Sequence, residues 1–183
     1  FLETDCIDPL TFYGITKAAQ TNIANYFFKF RSLPITTLRL FTPYGMFETK
    51  GRLVTDIMLS IIKNKKLEIS SPKSIRDFIF IDDVVEALIK TSKISNINGE
   101  VFNIGLGKYN SVENIVKISK KISNCKIKTI IMNNQKQDYD LLGGKGYANI
   151  SKAEKILKWK PKYSIEKGLK KSYQWFQKNI SLY

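Results

Sequence analysis

The order of the first three segments constrains this chain most: a long helical stretch, a proline, then a short β-branched run. From residue 12 to 31 the apolar residues Ile15, Ala19, Ile23, Tyr26, Phe27 and Phe30 recur at helical spacing. Pro34 follows the end of that stretch, where a helix stops readily. Residues 35–41 then read as a buried strand, and Pro43-Tyr44-Gly45 reads as its break. Helix followed by strand, repeated along the chain, is the pattern of an α/β fold.

The rest of the sequence keeps that rhythm. Residues 52–63 predict a helix carrying Leu53, Ile57, Met58, Ile61 and Ile62. Short strands are expected at 67–70 and 77–81. Asp83 and Glu86 form a capping-box pattern for a helix over 84–93. A strand at 101–104 precedes a helix capped by Ser111 and running to about residue 122, followed by a strand at 127–132. Residues 135–146 are polar and Gly-rich and predict a loop. Ser151 with Glu154 suggests a second capping box, for a helix ending near Trp159, and Ser164 opens the last helix to about residue 178. No internal repeat or low-complexity linker interrupts the pattern.

Composition removes several chemistries. There is no histidine, so Ser/His and Cys/His nucleophilic arrangements are excluded within this chain. Cys6 and Cys125 are isolated, which gives neither a disulfide framework nor zinc-ligand spacing, and suits a reducing cytoplasm; no metal site is expected. No apolar run approaches the roughly 20 residues a membrane span needs, and Phe1 to Leu10 lack a signal-peptide pattern. The net charge of +14 raises a nucleic-acid surface. Against it, only Arg31, Arg39, Arg52 and Arg76 are arginines, the lysines are spread along the whole chain, and bidentate base recognition favours Arg.

Proton transfer is left to Tyr, Lys, Asp or Glu. Tyr13 and Lys17 lie four apart on one helix face. A free Tyr has a pKa near 10 and is a poor base at neutral pH, but a nearby ammonium favours the phenolate. Such a pair could exchange a proton at a sugar hydroxyl or carbonyl while a nicotinamide exchanges the hydride. By spacing alone the pair carries little, because Tyr163 and Lys167 repeat it at the start of the last helix, where packing is the plainer role. What separates the first pair is its context: a Pro-containing turn before it, a long helix after it and then a strand.

That context resembles a known family. Asp8-Pro9-Leu10-Thr11-Phe12-Tyr13-Gly14-Ile15-Thr16-Lys17 is similar to the active-site segment of the NAD-dependent epimerase/dehydratase family, the extended short-chain dehydrogenases. Leu38-Arg39-Leu40-Phe41-Thr42-Pro43-Tyr44-Gly45, Arg76-Asp77-Phe78-Ile79-Phe80-Ile81-Asp82-Asp83-Val84, Phe102-Asn103-Ile104-Gly105-Leu106-Gly107, Ser151 through Pro161, and Gly168-Leu169 with Trp175 resemble its further landmarks in the same order. The resemblance covers nearly the whole chain. It implies the C-terminal half of such an enzyme: the C-terminal part of a Rossmann-like doubly wound parallel sheet with the active-site helix at residues 1–45, then a smaller α/β nucleotide-sugar-binding domain at 46–183. Strand exchange between the two is expected.

The resemblance also implies roles. Tyr13 would be the catalytic acid/base, and Lys17 would hold the ribose of NAD or NADP while favouring the Tyr13 phenolate. Phe41, Thr42 and Tyr44 would border the nicotinamide and the sugar, the alternative being a plain loop after a strand. Arg76 would take the diphosphate of a nucleoside-diphosphate sugar, a task suited to guanidinium; the alternative is a surface ion pair with Asp77. Lys136 and Asp138 would contact the substrate as well, Lys136 where the family usually has Arg. Thr42 stands where the family often has Asn. The family's catalytic Ser/Thr and its Gly-rich dinucleotide turn have no counterpart here, and Gly143-Gly144-Lys145-Gly146 lacks the spacing to replace that turn. The implied activity is NAD(P)-dependent epimerisation or dehydration at a sugar carbon, C4 by default, in a cytoplasmic homodimer. Reduction of a 4-keto-6-deoxy sugar in surface-polysaccharide synthesis and a non-catalytic sugar-nucleotide-binding remnant remain as alternatives.

Overall fold

The computed structural model describes residues 1–132 and 146–183. Helix α1 spans Phe12–Arg31, with the Thr11 hydroxyl capping the Gly14 N–H and Ser32 closing the other end in the left-handed conformation. The face it turns to the protein is lined by Gly14, Ala18, Thr21 and Phe28, of which only Thr21 is fully buried. The apolar stripe read from the sequence lies on the other side: Ile15, Ile23, Tyr26, Phe27 and Phe30 are exposed. The periodicity gave the helix correctly, while the face in contact with the protein is a different one, made by Gly14, Ala18, Thr21 and Phe28.

After α1 the chain runs into β1 (Thr37–Leu40) and, with one residue between, β2 (Thr42–Tyr44). The Pro43-Tyr44-Gly45 stretch expected to break the strand therefore forms a second strand that changes partner. β1 pairs in parallel with β6 (Val101–Ile104), and β2 pairs in parallel with β5 (Phe78–Phe80). A third parallel pair joins β3 (Leu67–Ile69) to β8 (Thr129–Ile131). The two-residue strands β4 (Ile75–Arg76) and β7 (Asn110–Ser111) pair antiparallel.

Helices fill the space around these pairs. α2 (Leu53–Ile62), α4 (Val112–Ser123) and α6 (Ile165–Lys178) pack on one another, enclosing Ile57, Met58, Ile115, Leu169 and Phe176 with Tyr44, Phe78 and Phe80. A second cluster lies against β1 and β6. There α3 (Ile81–Thr91) and α5 (Ser151–Ile156) cover Ile79, Phe102 and Ile104 together with Trp159. Each fully buried ring such as Phe102 or Phe176 contributes about 1.5–3 kcal/mol. The expected caps of α4 and α6 form: Ser111 accepts from Asn114 N–H and Ser164 from Lys167 N–H.

The two capping boxes do not. α3 starts earlier, at Ile81, which puts Asp83 inside its first turn; its carboxylate instead accepts the N–H groups of Lys162 (2.9 Å) and Tyr163 (3.2 Å). Trp159 Nε1 donates to the Asp83 carbonyl. At α5 the Asn149 side chain accepts from Ser151 N–H, replacing the serine cap. Asp83 thus ties the entry of α6 to α3.

The two clusters meet where β2 and β5 pass under α6. Gly168 allows this approach, since a Cβ there would collide with the Tyr44 hydroxyl and press on Phe80. Gly168→Ala is expected to destabilise the fold by about 1–3 kcal/mol, the usual cost of overpacking. Equilibrium urea unfolding, with an unchanged m-value, checks it.

Candidate active site

Tyr13 sits at the start of α1, 71% exposed, and Lys17 follows one turn later on the same face. The Lys17 ammonium lies 5.5 Å from the centre of the Tyr13 ring and donates to Gln20 Oε1 at 3.1 Å. Lys17 also lines an open cleft of about 390 Å³ between α1, the N-terminal segment and the end of β1. Gly14, Arg39, Phe41 and Asn103 share that cleft. Two residues singled out by sequence, Lys17 and Phe41, are therefore brought to one cavity.

Phe41 is the pivot of the local backbone. Its N–H donates to Ile104, still within the β1–β6 register, whereas the next N–H, of Thr42, donates to the Asp77 carbonyl at 2.9 Å. One residue thus carries the chain from one strand pair to the other. This sets Thr42 opposite Phe78, two positions past Arg76. Thr42 and Arg76, far apart in sequence, are neighbours through this register.

Tyr44 goes elsewhere. It is 3% exposed, packed edge-on against Phe78 and Phe80, and its hydroxyl donates to the Ile165 carbonyl. Burial, reinforced by the Asp83 carboxylate, pushes the Tyr44 pKa well up. Its side chain is a packing element under α6 and does not border an open cleft, because alternation along β2 turns it to the core.

Arg76 ends β4, with Nη1 donating to the Ile75 carbonyl at 2.8 Å. The surface ion pair with Asp77 does not form. Asp77 is 2% exposed and turns its carboxylate inward to three backbone N–H groups: Leu106 at 2.8 Å, Gly107 at 3.1 Å and Ala148 at 3.0 Å. Burial raises its pKa, while those three hydrogen bonds hold it down in part. Lys136 and Asp138 lie outside the described residues. Sequence reasoning passed over Asp77 as an ion-pair partner; the available signal was an acid directly before an apolar run, where a carboxylate must be buried and satisfied.

Glu48, beyond β2, is a partly buried acid. It accepts from the Thr55 hydroxyl at 3.0 Å and faces Arg52 at 3.6 Å. Desolvation raises its pKa over the lowering from Thr55 and Arg52.

Comparison with known proteins places this geometry. The residue pattern of the GDP-mannose 4,6-dehydratase family matches residues 1–172. The chain belongs to that family. It is 31% identical over 176 residues to a UDP-glucuronate 4-epimerase of Thermodesulfobacterium geofontis, covering 95% of this chain and 53% of that protein. An uncharacterised protein of Methanocaldococcus jannaschii is 32% identical over 98% of this chain and 54% of its own length. Among solved structures, the UDP-glucose 4-epimerase of Thermotoga maritima with UDP-glucose superposes with a TM-score of 0.88 at 28% identity, over 98% of this chain and 58% of that one. The UDP-glucuronic acid 4-epimerase of Bacillus cereus, with UDP-glucuronic acid and NAD, gives 0.85 at 28% identity over 99% and 56%. The chain thus spans about half the length of the curated relatives it matches. The family consists of Rossmann-like nucleotide-sugar epimerases and dehydratases of the extended short-chain dehydrogenase type, as the sequence landmarks implied. No helix among the described residues is long and apolar enough to cross a membrane.

The Glu48 environment yields a pH prediction. A carboxyl whose pKa is raised on folding stabilises the native state below its unfolded pKa, and that contribution is lost as pH rises through the folded value. Glu48→Gln keeps an acceptor for Thr55 and does not titrate. The variant is expected to gain Tm relative to the wild type at neutral pH, and the gain should shrink as pH falls toward the ordinary glutamate range of about 4.3. Thermal unfolding of both proteins between acid and neutral pH reads the difference.

Proposed function

We propose that this chain is the C-terminal half of an NAD(P)-dependent nucleotide-sugar epimerase or dehydratase that acts at a sugar carbon, C4 by the family default, with Tyr13 as acid/base. The observation that carries the reading is the Tyr13–Lys17 pair on one exposed helix face, with Lys17 and Phe41 lining the same cleft. The half-length span against relatives agrees with it.

In this reading each residue has a task set by its chemistry. Tyr13 exchanges a proton with the sugar oxygen at the reacting carbon. Lys17, a cation with one side-chain partner at Gln20, has donors left for ribose hydroxyls. Phe41 supplies an apolar wall to the cleft where a nicotinamide ring would lie. The cofactor, when bound, supplies reversible hydride acceptance and donation. The residues present fit its nicotinamide-ribose end, a cleft lined by the Phe41 ring and the Lys17 ammonium. Arg76 receives the diphosphate, and Thr42, brought beside it by the β2–β5 register, contacts the sugar. The partner is a nucleoside-diphosphate sugar. The exposed stripe of α1 supports a homodimer through that helix.

Tyr13→Phe is expected to lower turnover of a UDP-hexuronic acid or UDP-hexose by about 10²–10⁴, the usual contribution of a positioned acid/base, with binding of the sugar nucleotide unchanged. Product formation with no net consumption of reduced cofactor fits epimerase or dehydratase chemistry. Stoichiometric oxidation of reduced cofactor would replace it with the reductase reading.

A further inference from the structure

The one-residue joint between β4 and β5 is built more tightly than strand continuity requires. β4 pairs with β7, and β5, beginning one residue later, pairs with β2. Asp77 is that joint, and its carbonyl and both carboxylate oxygens are engaged. Its carbonyl takes the Thr42 N–H, and its carboxylate takes those of Leu106, Gly107 and Ala148. Leu106 and Gly107 lead directly into β7, whose Asn110 is the register partner of Arg76. The contacts therefore close a loop: Arg76 to Asp77, across the carboxylate to Leu106 and Gly107, along to Asn110, and back to Arg76.

We propose that Asp77 is a positioning residue that fixes the backbone of Arg76, and through its carbonyl that of Thr42, at the geometry needed to hold the diphosphate of a nucleotide sugar. The proposal rests on the reading of Arg76 as the diphosphate ligand. Two features set Asp77 apart from an ordinary buried acid. Its amide partners come from two chain segments, one of which leads into β7, the strand paired with Arg76, so releasing it loosens the joint. The packing also leaves no slack: a Cβ at Gly105 would stand 2.6 Å from Asp77 Oδ2 and 2.7 Å from the Ala148 methyl. Asp83 is the natural comparison. It is equally buried and also binds backbone N–H groups, but those belong to the entry of α6, away from Arg76.

The test is a double-mutant cycle read by calorimetric titration of UDP into the protein. An Asn at position 77 has one acceptor oxygen and presents an NH₂ group to backbone donors, so at least one of the three bonds is lost. Asp77→Asn is expected to weaken UDP binding about tenfold, which is 1.4 kcal/mol. If Asp77 acts through Arg76, the Asp77→Asn/Arg76→Ala double variant binds UDP no more weakly than Arg76→Ala alone; independent sites give additive losses. Gly105→Ala displaces the carboxylate without changing charge and should give the same non-additivity, which keeps the test decisive where Asp77→Asn does not fold. Asp83→Asn is the control and should show no coupling to Arg76. Additive losses, unchanged UDP affinity in Asp77→Asn and Gly105→Ala, or equal coupling from Asp83→Asn overturns the proposal. Unchanged affinity in Arg76→Ala instead removes the diphosphate reading of Arg76, and the proposal with it.

Discussion

A carboxylate with almost no exposure must be compensated from within the protein, and around Asp77 that requirement organises the chain. Its three amide partners lie in parts of the sequence that share no secondary-structure element with it. Charge-assisted hydrogen bonds are roughly twice as strong as neutral ones, and satisfying this group holds the segment after β6 and the segment before α5 against the β4–β5 joint. The carbonyl of the same residue receives Thr42 and so starts the β2–β5 register. The β4–β7 and β2–β5 pairs are both tied to this residue.

A similar economy operates on the other side of the fold. Asp83 spends its carboxylate on the backbone ahead of α6, and the Trp159 indole N–H is satisfied by the carbonyl of the same residue. Lys171, on α6, bonds Asp82 at 2.9 Å and the Tyr163 hydroxyl at 3.0 Å while lying over the Tyr163 ring. The start of α3 is therefore an acidic platform on which the last helix is seated. Tyr44 reaches the same helix from below through Gly168. Side chains around the β1–β2 joint are divided accordingly: Arg39 and Phe41 line the cleft, while Tyr44 fastens the last helix.

Much of this was legible in the sequence where one local rule decided the outcome. Helix α1 follows from the period of its apolar residues, although its contact face, which carries Gly14, Ala18, Thr21 and Phe28, lies outside that stripe. The caps at Ser111 and Ser164 follow from side-chain chemistry at the helix start. The capping boxes at Asp83 and Ser151 were misread because a longer-range demand took the carboxylate in one case and a preceding Asn took the serine's place in the other. Of the candidate site, the Tyr13–Lys17 pair was readable as i, i+4 geometry. The burial of Tyr44 was not, since it depends on a strand that changes partner at Phe41, and nothing local in Pro43-Tyr44-Gly45 announces that change. The burial of Asp77 was signalled by the apolar run after it, but its partners were hidden, because backbone groups leave no trace in residue identity.

The parallel registers have a further consequence, for the order in which the chain assembles. Thr37 meets Val101, and Leu67 meets Thr129, only after the whole intervening chain has been brought round. Thr42 meets Phe78 across a shorter loop. Closure entropy is lost before any pairing energy is gained, and longer loops lose more, though only logarithmically. Non-local parallel pairing of this kind places the molecule among slow folders. The β2–β5 pair, with α2 enclosed in its connection, is the natural early unit. The β1–β6 pair, which completes one wall of the cleft, closes a longer loop, so the shape of the cleft rests on one of the costlier pairings of the fold.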